Sequence, residues 1–288
     1  MTAFWRAAPF VFLILWSGGY GFAKLGLQHA EPMTLLALRY GLAVVVLVPL
    51  ALLLRPQWPV GARHWAAVAV TGFLIQGVYF GLAYLAMKQG MNAGTTAIIM
   101  ALQPALVAAA SPLIGGKRGG LLLWSGLGIG FCGVLLAVWS EGSLGPSPIG
   151  AALLALGALA GISGATLFEK ALGRKTDPVA GGLVQYAVGF TLVAPVAVAT
   201  ESLSIDWQPG LIVALVWLVL GNSLISISLY IAMIARGDAT RISALMYLVP
   251  PLAMALAWAL LDEPLRPLAL AGLALSAVGV YLVARQTR

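Results

Sequence analysis

Ser17-Gly18-Gly19-Tyr20-Gly21-Phe22-Ala23-Lys24 is answered 146 positions later by Ser163-Gly164-Ala165-Thr166-Leu167-Phe168-Glu169-Lys170. Outward from that pair, at the same offset and without a gap, Pro32, Tyr40 and Pro49 fall on Pro178, Tyr186 and Pro195. Farther along, Tyr84, Met87, Met100, Pro104, Gly126 and Gly133 fall on Tyr230, Met233, Met246, Pro250, Gly272 and Gly279. In a chain rich in Ala and Leu a matched Ala carries little weight, but matched Lys, Phe, Tyr, Met and Pro carry a great deal. The chain is read as two copies of one unit, residues 1–142 and 143–288.

Composition places both copies in a membrane. Hydrophobic residues make up 61% of the 288 positions and charged residues 9%, against about 25% charged in a soluble domain. A bilayer-spanning helix needs roughly 20 mostly apolar residues. With Pro, Gly and charge clusters taken as breaks, ten spans are predicted, near 7–27, 32–54, 65–86, 92–113, 120–139, 148–168, 179–200, 210–233, 239–261 and 267–284. The expected fold is an all-α membrane protein of ten transmembrane helices. Five spans per copy, an odd number, turn the second copy upside down, so the two five-helix repeats are inverted. Residues 1–22 have a faint signal-peptide look, but the first span pairs with the internal sixth, so it is expected to stay in the fold. The single cysteine, Cys132, lies within span five and allows no disulfide inside the chain.

Charge gives an orientation. With the N-terminus cytoplasmic, twelve of the 16 Lys and Arg lie on the inner side, Lys24, Lys88 and Arg266 lie on the outer side, and Arg39 lies within span two. Both termini are then cytoplasmic, in a multi-pass plasma-membrane protein (the inner membrane of a bacterium). The net charge of +7 is accounted for by topology and anionic inner-leaflet lipid. Basic residues form no stripe suited to a phosphate backbone, so nucleic acid is excluded as a partner. Gly128-Ile129-Gly130-Phe131-Cys132-Gly133 matches the dinucleotide pattern. No strand precedes it and it lies in a membrane span, so its glycines are read as a helix-packing seam. No catalytic or metal-spaced set is visible, so neither enzyme chemistry nor a cofactor or metal is expected.

Inverted repeats that pack about an axis in the membrane plane leave a cavity near the midplane, and rocking of one against the other exposes it to each side in turn. That is the design of a secondary transporter. Ser17-Gly18, Phe22 and Lys24 closing the first span, Leu38-Arg39-Tyr40 in the second, Leu248-Val249-Pro250-Pro251 in the ninth, and Asp262-Glu263-Pro264 before a last span bearing Gly272 and Gly279 together resemble the EamA-type drug/metabolite transporter superfamily over the whole chain. The likeness is strongest to the YddG-type exporters of aromatic and other neutral amino acids. One departure is that Gly115-Gly116-Lys117-Arg118 precedes the fifth span where such proteins often have Glu, so that feature survives only at Glu263. The resemblance implies export of small metabolites, aromatic and neutral amino acids foremost, with a drug, sugar or nucleotide-sugar carrier as the alternative. It also implies that spans one, three, four, six, eight and nine surround the cavity.

Polar and aromatic side chains within those spans are the candidate substrate contacts, because a polar group facing lipid is costly. They are Trp16 and Tyr20 in span one; Gln76, Tyr79 and Phe80 on one face of span three; Thr96, Met100 and Gln103 on one face of span four; Asn222 and Ser226 in span eight; and Ser243 and Tyr247 in span nine. Aromatic walls with neutral hydrogen-bonding groups suit a small solute with an apolar body and a polar head. The competing reading makes the same Ser, Thr, Asn and Gln the glue between helices, and Trp16 a packing residue. Pro104 and Pro250, deep and equivalent, are candidate hinges. Lys24 and Lys170 are candidate gate residues that pair with an acid across the bundle or merely anchor span ends. For Arg39 a bond to a substrate carboxylate competes with the favoured reading, snorkelling outward or binding carbonyls at a neighbouring helix end. The deep spans lack carboxylates and His29 and His64 sit near span ends, so a facilitator, or coupling through substrate ionisation, is expected in place of a proton relay. The partners are then a small amino-acid-like solute and the bilayer, with a monomer expected and a dimer as the alternative.

Overall fold

The computed structural model describes residues 3–115, 120–141, 148–172, 176–229, 233, 246 and 248–286. Its helices are α1 (Ala3–Gly26), α2 (Pro32–Leu54), α3 (Ala62–Gly72), α4 (Phe80–Lys88), α5 (Ala93–Met100), α6 (Gln103–Ala110), α7 (Leu121–Glu141), α8 (Pro148–Leu172), α9 (Pro178–Thr200), α10 (Pro209–Val216), α11 (Val249–Leu261) and α12 (Pro267–Gln286). Among the described residues, nine helical stretches are long and apolar enough to cross a bilayer, and α11 is a shorter apolar helix. The first part of the predicted ninth span and the boundary at residue 142 lie outside the described residues.

Local chemistry sets the ends and breaks. α2, α9, α10 and α12 each open on a proline, whose missing N–H costs nothing in the first turn. Pro104 stands in the first turn of α6. Lacking an N–H for the carbonyl of Met100, it opens span four at Ala101–Leu102 and divides it into α5 and α6. Pro250 stands in the first turn of α11. Pro49 and Pro195 sit inside α2 and α9, which run past them unbroken. Span three passes from α3 to α4 through a π-helical stretch, Phe73–Tyr79, and α10 continues into another, Trp217–Ser226. The two stretches overlap at the 146-residue offset, so the same irregularity is built into both copies.

Two contacts reveal the symmetry. The Tyr40 and Tyr186 rings meet with centroids 5.8 Å apart, and the Ser276 hydroxyl donates to the Gly130 carbonyl at 3.2 Å. Each is a residue meeting its own equivalent, which happens only where a two-fold axis passes. Around these points the helices run antiparallel. Gly126 faces Gly279 while Gly133 faces Gly272, and Thr34 reaches Glu201 while Gly182 lies beside Leu47. The axis is therefore perpendicular to the helix rods. On the seam between α7 and α12, a Cβ added at Gly272 would lie 2.5 Å from the Gly133 carbonyl oxygen, so only glycine allows that approach. The two larger core clusters are one centred on α2 and α9 and another joining spans three, four and six.

Candidate functional site

Most described acidic side chains that make contacts do so at helix ends. The Glu201 carboxylate accepts from the Met33 and Thr34 amides, each at 2.8 Å, and from the Thr34 hydroxyl at 2.8 Å. Asp177 accepts from the Val179 and Ala180 amides at the start of its own helix. Glu263 accepts from the Ala93 amide at 3.1–3.2 Å, and so caps α5. Unsatisfied N–H groups and the positive end of the helix dipole favour carboxylates there, which explains why the deep spans have none to spare.

Glu263 also pairs with Lys24 at 2.8 Å, and that ammonium donates to the Met91 carbonyl at 2.8 Å and to Asn92 Oδ1 at 3.1 Å. One half-buried knot thus joins the end of α1, the start of α5 and the turn after α11. On the same face Glu31 accepts from the Ser202 amide at 2.6 Å and hydroxyl at 2.7 Å, and His29 Nδ1 lies 3.1 Å from Asp206 Oδ2. Ser202 holds the Glu31 carboxyl below the ordinary carboxylate range, hydroxyl first and backbone amide second. Lys170, the equivalent of Lys24, is exposed at the end of α8 beside exposed Glu169, and has no ion pair among the described residues.

Deeper in the bundle, α1, span three and span eight bring aromatic and neutral polar groups together. Tyr20 and Tyr79 place their hydroxyls 3.5 Å apart. The Tyr79 ring lies 4.4 Å from Phe80, and Phe80 meets Tyr84 edge-on at 6.2 Å. Asn222 Nδ2 donates to the Leu15 and Trp16 carbonyls at 3.4 and 3.5 Å, and Gly19 leaves room for it. Met100 packs in the same cluster as Tyr79, with Tyr20 and Phe80 against it. Among the described residues the hydroxyls of Ser17, Ser163 and Ser226 and the Gln76 side-chain carbonyl are buried without a hydrogen-bond partner.

Arg39 is at the centre of this region, and the favoured expectation for it is corrected. It neither snorkels nor binds the backbone carbonyls of a neighbouring helix end. It is 1% exposed, with Nη1 donating to Tyr84 Oη at 3.1 Å and Nη2 donating to Asn222 Oδ1 and Ser223 Oγ, each at 3.2 Å. Its guanidinium lies 4.3 Å from the Phe80 ring centroid, well inside the range of a cation–π contact. The physical reason is local: a ready set of oxygens and a π face surround the position, so the side chain gains nothing by reaching for the headgroups.

Other sequence candidates take different places. Gln76 is buried against Gly189 of α9 and Tyr40, whose hydroxyl donates to the Gln76 backbone carbonyl at 2.8 Å. It does not share the environment of Tyr79 and Phe80, because the wider π-helical turn alters the phase on which the common face was reckoned. Thr96 is fully buried and its hydroxyl returns to the Asn92 carbonyl in its own helix. Gln103 donates to Thr166 Oγ1 at 2.9 Å and ties α6 to α8. The Trp16 ring lies tilted to Phe12, with centroids 5.6 Å apart, and packs against the Phe12, Leu229 and Met233 cluster. Ser243 and Tyr247 lie outside the described residues. Tyr84, Ser17 and Ser163 were absent from the sequence candidates, although all three stand at repeat-matched positions. Ser223 carries no such signal.

The EamA-like transporter family model matches this chain twice, over residues 5–139 and 149–285. The protein belongs to that family. It is a transporter rather than an enzyme, and its two family segments are the two repeats. The chain is 26% identical over 276 residues to the uncharacterized inner membrane transporter YedA of Escherichia coli K12, covering 96% of this chain and 89% of that one. It is 24% identical to the uncharacterized transporter YvbV of Bacillus subtilis, covering 94% and 88%. It is also 25% identical to a probable amino-acid metabolite efflux pump of Salmonella typhimurium, covering 94% and 91%. One solved crystal structure superposes with a TM-score of 0.70 at 18% identity over 98% of both chains, a likeness of fold.

Proposed function

We propose that this protein is an alternating-access exporter of small amphipathic metabolites, aromatic and neutral amino acids foremost. It sits in a bacterial inner membrane with both termini cytoplasmic, as its charge bias and the inner-membrane name of YedA suggest. Residues 1–142 and 143–288 are the halves that rock. Trp16, Tyr20, Tyr79, Phe80, Met100, Asn222 and Ser226 line the solute path, with Gln76, Thr96 and Gln103 supporting it from behind and Ser243 and Tyr247 completing it from span nine. Lys24 with Glu263 closes one end, Lys170 belongs to the other, and Pro104 and Pro250 are the hinges.

The observation that carries the reading is the meeting of α1, span three and span eight on an aromatic surface set with neutral hydrogen-bonding groups. Apolar walls take a hydrophobic side chain, while hydroxyls and an amide take an ammonium and a carboxylate. The name of the Salmonella relative, a probable amino-acid metabolite efflux pump, supports both the solute class and outward movement. A nucleotide-sugar carrier would need several buried cations for a diphosphate, and Arg39 is the one buried arginine among the described residues.

Purified protein in proteoliposomes tests the proposal. Labelled phenylalanine, tryptophan and threonine are expected to move and a hexose is not. Tyr20→Ala and Asn222→Ala should each slow phenylalanine at least tenfold, while Leu53→Ala, on the exposed face of α2, should not. Hexose movement without amino acid movement would refute the solute class. Because no deep carboxylate is at hand for a relay, an imposed pH gradient should leave phenylalanine flux unchanged. Steep gradient-driven accumulation would count against facilitation.

A further inference from the structure

Arg39 is a cation held away from water inside the bundle, and none of the ion pairs among the described residues includes it. Its partners are a phenol, an amide and a hydroxyl, all neutral. Its Nε is buried without an acceptor. Isolated buried charges are expensive, and proteins pair them with opposite charge or neutralise them. A guanidinium stays protonated, so an anion is the group that would both neutralise it and give Nε an acceptor. The repeat equivalent of Arg39 is Gln185, so the symmetric fold does not require a cation here.

On one side the position is closed by a single aromatic ring. Arg39 is the eighth residue of α2, about 10 Å below the start of that helix at about 1.5 Å per residue. Its cover is the half-buried Phe80 ring, and Phe80 adjoins the Tyr79–Tyr20 pair that faces α1. Its donor Nη2 meets Asn222 and Ser223 within a π-helical stretch of span eight, and the other π-helical stretch ends next to Phe80. π-helical segments hold their hydrogen bonds less regularly than α-helix, and they occur often at functional sites.

We infer that Arg39 is the subsite for the carboxylate of the transported solute, reached by displacement of the Phe80 ring and bound through Nε, the guanidinium nitrogen that has no acceptor among the described residues. This rests on the carrier reading above and specifies its solute class: molecules that bear a carboxylate on an apolar body. The solute's ammonium group, if present, finds neutral oxygens at Tyr20, Tyr79 and Ser226 and no acid. Solutes that carry only positive charge are therefore rejected.

Three related probes test this with wild-type protein: phenylalanine, its isostere phenylalaninamide, and phenethylamine, which lacks the carboxyl group. Phenylalanine is expected to compete with labelled phenylalanine in proteoliposomes at least tenfold better than either carboxylate-free analogue. Equal competition by the three overturns the inference whatever any variant does. Arg39→Gln, checked for monodispersity and thermal midpoint, should lose that preference, so that the three analogues bind within about twofold of one another. Arg39→Lys should keep part of it. An Arg39→Gln protein that retains the full preference overturns the inference while leaving the amino-acid carrier intact. If wild-type protein moves no amino acid at all, the function proposed above fails first, and the two failures are told apart.

Discussion

The glycine seam between α7 and α12 yields a prediction with its control built into the same helix. Gly133→Ala would place a Cβ 2.5 Å from the Gly272 carbonyl oxygen and the Ser276 amide nitrogen, both backbone atoms of the opposite helix. Ordinary contact lies near 3.5 Å, so the helices must part by about 1 Å or the methyl group is overpacked. Overpacking of this kind costs roughly 1–3 kcal/mol. Alanine also raises helix propensity by about 1 kcal/mol over glycine, which would blur the result if the variant stood alone. Gly128→Ala has the same propensity gain, and nothing lies within 4 Å of its added Cβ. The difference between the two variants therefore isolates the seam, and is expected to be about 1–3 kcal/mol, or several degrees in thermal midpoint. Tryptophan fluorescence during heating in one detergent would measure it. If Gly133→Ala melts with or above Gly128→Ala, the close approach of α7 and α12 is wrong.

Three other perturbations have expected outcomes. Lys24→Met leaves the Glu263 carboxylate only the Ala93 amide, in a site where the two side chains are 19% and 11% exposed, so it should cost about 1–3 kcal/mol. Lys24→Met with Glu263→Gln should cost less than the two single changes added, a non-additivity that a double-mutant cycle reads directly. Glu31 has a folded pKa below its ordinary value. Its clasp on Ser202 is therefore fully present above the ordinary carboxylate range and is lost as pH falls through the lowered value. Thermal midpoints taken from pH 6 to pH 3 should fall less for Glu31→Gln than for wild type over the acid end of that range. Pro104→Ala restores an amide that can bond the Met100 carbonyl and close the break between α5 and α6. Membrane abundance should be unchanged and turnover several-fold lower, and unchanged turnover would make the break a static bend.

Several features were legible because they depend on composition and one-dimensional pattern. Apolar runs of membrane length gave the spans, and the break at Pro104 followed from a missing donor. The sequence allows Lys24 an acid partner across the bundle, but only the fold brings Glu263, 239 positions away, beside it. The site was less legible. Gln76, Tyr79 and Phe80 look like one face when counted at α-helical spacing, yet a π-helical turn runs through them and sends Gln76 toward α9. Thr96 looks like a cavity donor until its hydroxyl is seen to bond its own helix.

Repetition and hydrophobicity belong to the chain itself, because each can be counted before any folding. They determine that the protein is a membrane-embedded helical duplicate, and with an odd number of crossings per copy they set the second copy against the first. The environment of a single polar side chain is different, since it depends on which distant residues arrive beside it. Arg39 looked suited to the headgroups by distance along its helix. Only the packing of α4 and span eight against α2 decided that it would remain inside, because Tyr84, Asn222, Ser223 and the face of Phe80 offer it more there than the membrane surface does.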